Sequence, residues 1–297
     1  MPTKNVRFTI LLLILLLSLA GLWYSKSMPT LKEIIQQETL IIAHRGASSS
    51  APENSLIAVE QALLSQADLI ELDFYIGNNG ALFVFHDEVL EDESNIRPIP
   101  LMSTEEFSQL DISQSEKFFG AYPQLSPSLL EEYLEKILTE STPLIEYKRN
   151  SITPEASARA AAEALLEILN RRGWRDKVVI QSFDVIFLHI CKSIAPDLIL
   201  GWLIDDALLA YIDTIVMEIN PDIIAWKREE LTPEKIQWIQ ERSNARIWSW
   251  YGGEDKPNDP ALSLHMLQHG IHGIITDYPA QAKVVHQWWK QHSPESK

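Results

Sequence analysis

Four apolar runs of this chain end in ionisable side chains. Leu40-Ile41-Ile42-Ala43 leads into His44-Arg45-Gly46, and Leu69-Ile70 into Glu71-Leu72-Asp73. Leu82-Phe83-Val84-Phe85 leads into His86-Asp87, and Leu144-Ile145 into Glu146-Tyr147-Lys148. Glu71 and Asp73 are two apart, as are Glu146 and Lys148, so on a strand each pair shares one face. A buried carboxylate is costly unless paired, so two on one face require a cation or a proton. A structural salt bridge to Arg45 or Lys148 would meet that need. Three carboxylates from two strands also suit a hard divalent cation, Mg²⁺ or Ca²⁺, which prefers oxygen ligands. Zinc would more often recruit histidine nitrogen. His44 and His86 suit a general acid and a general base, and Arg45 and Lys148 suit an anion such as phosphate.

Holding such groups together requires strands that end at one place. Strand candidates are Leu40–Ala43, Leu69–Tyr75, Leu82–Phe85, Leu144–Tyr147, Val178–Gln181, Leu198–Leu203, Asp222–Ala225, Arg246–Trp250 and Gly273–Thr276. Helix patterns at Ser55–Gln66, Ser128–Leu138, Pro154–Arg171, Thr232–Arg242 and Asp259–Gln268 alternate with most of them. Alternation implies parallel strands with crossover helices. About eight such units fit a closed (β/α)₈ TIM barrel, whose active sites lie at the C-terminal ends of the strands. The surplus strand has an explanation in Asn78-Asn79-Gly80, a turn signal that folds Leu82–Phe85 back on Leu69–Tyr75 as a hairpin. The stretch Glu88–Pro127 exceeds a crossover and predicts an excursion over one end of the barrel.

Composition excludes several classes. With 46% hydrophobic residues the chain is too apolar to be disordered. A net charge of −16 argues against nucleic acid as a partner. One cysteine, Cys191, allows no intramolecular disulfide and no cysteine-rich zinc site. The remaining histidines read as surface or packing residues.

Phe8 to Tyr24 is free of charge, follows Lys4 and Arg7, and ends in Trp23 and Tyr24. The length is at the short end for a membrane helix, and a cleaved signal peptide is the rival reading. Continuation of the apolar run through Leu22 and its interfacial aromatics favour an uncleaved anchor. The expected organisation is therefore residues 1–27 as membrane anchor or signal segment, 28–39 as juxtamembrane linker and 40–290 as the barrel. On that reading the protein is single-pass, with the barrel outside the cytoplasm.

The ordered set Ala43-His44-Arg45-Gly46-Ala47, Pro52-Glu53-Asn54-Ser55, Ile70-Glu71-Leu72-Asp73 and Phe85-His86-Asp87 resembles the glycerophosphodiester phosphodiesterase family. Later segments add to it: Ser128-Leu129-Leu130-Glu131-Glu132, Ile145-Glu146-Tyr147-Lys148, Gln181-Ser182-Phe183, Ile247-Trp248 and Gly273-Ile274-Ile275-Thr276-Asp277-Tyr278-Pro279. The resemblance implies a (β/α)₈ barrel that hydrolyses a small glycerophosphodiester to sn-glycerol 3-phosphate and an alcohol. It further implies that Glu71, Asp73 and Glu146 hold the cation and that His44 and His86 form the acid–base pair. Arg45 and Lys148 would contact phosphate, and Trp248 would line the substrate pocket. Glu53 and Asn54 match the motif but read as packing and helix capping. The run Trp248-Ser249-Trp250-Tyr251 departs from the family's usual Trp-Thr-Val-Asn and leaves the alcohol open. Three alternatives remain: a phospholipase of the phosphatidylinositol-specific or sphingomyelinase D type, a non-catalytic tethered binding protein, and a metal-independent barrel glycosidase.

Overall fold

Near-continuous apolar runs are buried on both faces where helices cover both sides of a sheet, or where helices cover one side and the sheet closes on the other. The computed structural model, which describes residues 30–37, 39–92, 95–113, 116–118, 120–250 and 260–293, shows the second arrangement. In chain order the strands are β1 (Leu40–Ala43), β2 (Leu69–Ile76), β3 (Leu82–Val84), β4 (Val89–Asp92), β5 (Asn95–Pro98) and β6 (Thr142–Tyr147). They continue as β7 (Val179–Ser182), β8 (Ile199–Ile204), β9 (Ile223–Lys227), β10 (Arg246–Trp250) and β11 (Gly273–Thr276). The main sheet runs β1-β11-β10-β9-β8-β7-β6-β2-β3, and β1 also pairs with β2. All its pairings are parallel except β2–β3. Eight parallel strands thus close into a barrel, and β3 is the antiparallel hairpin partner expected from the Asn-Asn-Gly turn.

Helices Leu56–Leu64, Leu130–Ile137, Pro154–Arg172, Val185–Ile194, Ile212–Ile219, Pro233–Gln240, Pro260–Gln268 and Pro279–His292 each follow a barrel strand. Three of them, at Val185–Ile194, Ile212–Ile219 and Pro279–His292, have no counterpart among the expected helices. The first two are rich in β-branched and apolar residues, for which a short run reads equally as strand. What fixes the first is Asp184, whose side chain accepts from the amides of Ile186 and Phe187 at 2.8 and 3.2 Å.

Alternation along each strand sorts its side chains. Ile70, Leu72 and Phe74 of β2 join the core between strands and helices, as do Ile145 and Tyr147 of β6. Glu71, Asp73, Glu146 and Lys148 therefore face into the barrel. Tyr147 stacks on Phe187 with ring centroids 4.2 Å apart, outside the barrel as its position in the alternation requires.

The excursion after β3 carries the β4–β5 hairpin and a helix at Thr104–Ser108 closed by a Ser103/Glu106 capping box. Its own small core includes Tyr75, Phe83, Ile99 and Phe107. Phe83 and Phe107 stack at 4.2 Å. Tyr122 donates its hydroxyl to the Ser50 carbonyl at 2.7 Å and Lys117 donates to the Ser48 carbonyl at 3.0 Å. Those bonds tie the excursion to the loop after β1, at the C-terminal end of the barrel.

Two units divide the chain, Met1–Gln37 and Glu38–Lys297. In the first, Thr30 and Glu33 cap the helix Leu31–Gln37 reciprocally. The expected anchor at residues 1–27 lies outside the described residues. Among those described, no helix is long and apolar enough to cross a membrane.

Candidate active site

The strand ends converge on a cleft of about 470 Å³ at the C-terminal mouth of the barrel. His44 and Arg45 reach it from β1, Asp73 from β2, His86 and Asp87 from β3, and Glu146 and Lys148 from β6. Gln181 of β7 and Phe183 just after it, Leu203 of β8, Trp250 of β10, and Ile275 of β11 with Asp277 just after it complete the wall, with Glu53. Seven of the eight residues singled out in the sequence are therefore brought together, counting Glu71 through its place in the carboxylate trio.

Glu71, Asp73 and Glu146 are buried, and one ligand oxygen from each lies within 4.8 Å of the others. Their remaining hydrogen bonds differ. Glu71 Oε2 accepts from the Arg45 amide at 2.8 Å, while its Oε1 is buried without a hydrogen-bond partner. Asp73 Oδ2 accepts from Asn54 Nδ2 at 2.9 Å and lies 3.4 Å from Arg45 Nε. Lys148 Nζ sits 3.1 Å from Glu146 Oε1 and 3.6 Å from Asp73 Oδ1. Arginine and lysine thus leave one carboxylate oxygen uncompensated, which fits a bound cation better than a closed salt bridge.

The pKa directions follow this geometry. Burial, then the neighbouring Asp73 and Glu146 charges, push the Glu71 carboxyl well above the ordinary carboxylate range. Burial also raises Glu146, against the pull of Lys148. Burial would raise Asp73 too, but Lys148 and Arg45 hold its carboxyl far below that range. Lys148 and Arg45 are each raised, their carboxylate neighbours outweighing burial.

Local structure supplies the reach. Arg45 adopts φ +52° and Gly46 φ +80°, which turns the chain sharply after β1. A Cβ on Gly46 would meet the Ala58 backbone at 2.7 Å, so only glycine fits there. The left-handed turn at Arg45 costs roughly 1 kcal/mol or more and aims the amide at Glu71. Ser55, not Asn54, caps the helix Leu56–Leu64, accepting from Ala58 N–H at 3.0 Å. Asn54 instead clasps Asp73, donating through Nδ2 and accepting from the Asp73 amide at 3.2 Å through Oδ1. Glu53 accepts from Arg45 Nη1 at 2.8 Å. The reading of both residues as packing and capping is corrected accordingly.

Each histidine has a carboxylate on Nδ1. His44 Nδ1 lies 2.6 Å from Asp277 Oδ1, and His86 Nδ1 lies 2.7 Å from Asp87 Oδ1. In the sequence the two acidic residues stand at the ends of apolar runs, within segments that resemble the family, and carry no sign of the imidazole each meets. Burial works against the Asp277 charge, but His44 brings its carboxyl down to about 2.

Trp248 is corrected as well. It is fully buried and absent from the cleft wall. Ile247 belongs to the outer core, so Trp248 points into the barrel, over Gly273. Trp250, two residues further along the same face, reaches the cleft in its place.

Comparison with known proteins follows the same lines. A model of the Glycerophosphoryl diester phosphodiesterase family matches residues 44–281. A glycerophosphodiester phosphodiesterase of Bacillus altitudinis is 30% identical over 259 residues, spanning 85% of this chain and 100% of that protein. Another, from Caldanaerobacter subterraneus, is 28% identical over 257 residues, spanning 82% and 95%. Among solved structures, an Oleispira antarctica phosphodiesterase in complex with the product sn-glycerol-3-phosphate shares the fold. It has a TM-score of 0.73 at 21% identity and covers 84% of this chain and 97% of that one.

Proposed function

Since the chain belongs to the glycerophosphoryl diester phosphodiesterase family, we propose that it hydrolyses glycerophosphodiesters to sn-glycerol 3-phosphate and an alcohol. Glu71, Asp73 and Glu146 would hold one divalent cation, Mg²⁺ or Ca²⁺, through carboxylate oxygens. Such a cation, when bound, supplies Lewis-acid polarisation and neutralises charge at a phosphoryl oxygen. The observation that carries the reading is the orphaned, buried oxygen of Glu71 within a trio whose ligand atoms lie within 4.8 Å.

Arg45 and Lys148 add fixed positive charge where the phosphoryl oxygens gather charge in the transition state. A carboxylate on Nδ1 keeps a proton on that nitrogen and leaves Nε2 of His44 and of His86 to exchange protons. One histidine takes the proton of the nucleophile and the other gives one to the leaving alkoxide. Asp277 and Asp87 orient the rings. The apolar run Phe8 to Tyr24 supports attachment to a membrane, which alkaline extraction of cell membranes would check.

The experiment is release of sn-glycerol 3-phosphate from a glycerophosphodiester, with and without EDTA, by the wild type and by His44→Ala and His86→Ala. Loss of about 10²–10⁴-fold is expected for each variant. A loss under about tenfold removes the acid–base assignment, and full activity in EDTA removes the cation.

A further inference from the structure

The mouth of the barrel has two unlike halves. β1, β2, β6 and β11 are consecutive in the closed sheet and, with β3 paired to β2, bear or lead into its charged groups. β7, β8 and β10 bear or lead into Phe183, Leu203 and Trp250, with Gln181 the one polar side chain among their described residues in the wall. In the ring of strands β10 stands opposite β6, so a diester with its phosphorus beside Glu146 and Lys148 extends across the mouth towards Trp250. There Phe183 and Trp250 meet edge to face, ring centroids 5.5 Å apart and planes at 89°. Rings at a right angle bound a recess with two π faces, an arrangement that receives a quaternary ammonium group.

Charge points the same way. Glu53, Asp87 and Asp277 line the cleft in addition to Asp73 and Glu146. Arg45 and Lys148 are already engaged by carboxylates. The cleft therefore offers an alcohol moiety surplus negative charge and favours a cationic one. An acyl chain would need a continuous apolar groove, and among the described residues only Leu203 and Ile275 extend the aromatic pair within the wall.

Resting on the diesterase reading above, we propose that Phe183 and Trp250 bind the quaternary ammonium head of the leaving alcohol, making choline-type glycerophosphodiesters the selected substrates. Trp250 is then a specificity-determining residue that acts through its ring face.

The test compares sn-glycero-3-phosphocholine with the 3,3-dimethylbutyl ester of sn-glycerol 3-phosphate, which has the same shape and no positive charge. The purified full chain is assayed with Mg²⁺ or Ca²⁺, as wild type, Trp250→Leu and Trp250→Phe. The wild type is expected to prefer the choline ester about tenfold in kcat/KM, mainly through KM, as a partly desolvated cation–π contact predicts. Trp250→Leu should bring the two esters level, and Trp250→Phe should keep most of the preference. Equal handling of the esters by the wild type, or an undiminished preference in a folded Trp250→Leu, overturns the proposal. So does a lysophospholipid preferred to both. Failure to cleave any glycerophosphodiester instead brings down the diesterase reading, and this one with it.

Discussion

His44 and Asp277, 233 positions apart in sequence, meet at 2.6 Å because β1 and β11 close the barrel side by side. The last strand thus delivers the partner that sets the tautomer of the first strand's histidine. Asp277→Asn removes the negative charge and permits the wrong tautomer, so kcat should fall roughly 10²-fold with a smaller change in KM. Steady-state kinetics on one glycerophosphodiester decides it. A change under about threefold means that the ring needs no such partner.

Glu71 carries the uncompensated oxygen of the trio. Glu71→Gln keeps an acceptor for the Arg45 amide and deletes one buried charge. Without divalent cation the variant should be more stable than the wild type by about 1–3 kcal/mol and melt at a higher temperature. Added Mg²⁺ or Ca²⁺ should raise the wild-type Tm through preferential binding to the folded state and leave the variant unmoved. Equal thermal shifts in the two proteins would place the cation elsewhere.

Much of this was legible in sequence, for definite reasons. The barrel strands are short, mostly apolar runs, so each is visible by composition, and period-two spacing put Glu71 with Asp73, and Glu146 with Lys148, on one face of its strand. Asp277 and Asp87 look like ordinary strand-end acids until closure of the sheet and the turn after β3 put each against an imidazole. Asn54 sits where a cap would, one residue before the real cap, and only the left-handed turn at φ +53° shows that it points at Asp73. Trp248 and Trp250 share a face, and nothing in a linear pattern tells which of them is deep and which reaches the mouth.

Burial, with a lesser contribution from Arg246, lowers the His272 imidazole to about 4 from its ordinary 6.5. Its Nδ1 accepts the Ile247 amide at 3.1 Å, so the fold holds the ring neutral. Above pH 6.5 both folded and unfolded chains carry it neutral, and its contribution to stability is complete. Between pH 6.5 and 4 the unfolded chain takes up a proton that the fold refuses, so stability declines as pH falls; below about 4 the loss is finished. His272→Asn retains an acceptor near Nδ1 and cannot titrate. Thermal melts across pH 4 to 8 should show the wild type losing ground to the variant within that window, and parallel curves would contradict it.

Gly273 of β11 is registered opposite Trp248 of β10, and a Cβ there would lie 2.5 Å from Trp248 Cδ1 and Cγ. Gly273→Ala should therefore destabilise by about 1–3 kcal/mol, as overpacked cores do. The obstacle is a single ring, so the effect should depend on it. In a Trp248→Leu background the alanine should be better tolerated, with a coupling of about 0.5–3 kcal/mol in a double-mutant cycle by denaturant unfolding. Additive effects would mean that the two positions do not touch. The same cycle separates the two tryptophans by function: Trp248→Leu should act mainly on stability, because a ring enclosed beneath the cleft supports the wall without meeting substrate. A Trp248 variant with normal stability and a raised KM would return that residue to the pocket where the family resemblance places it.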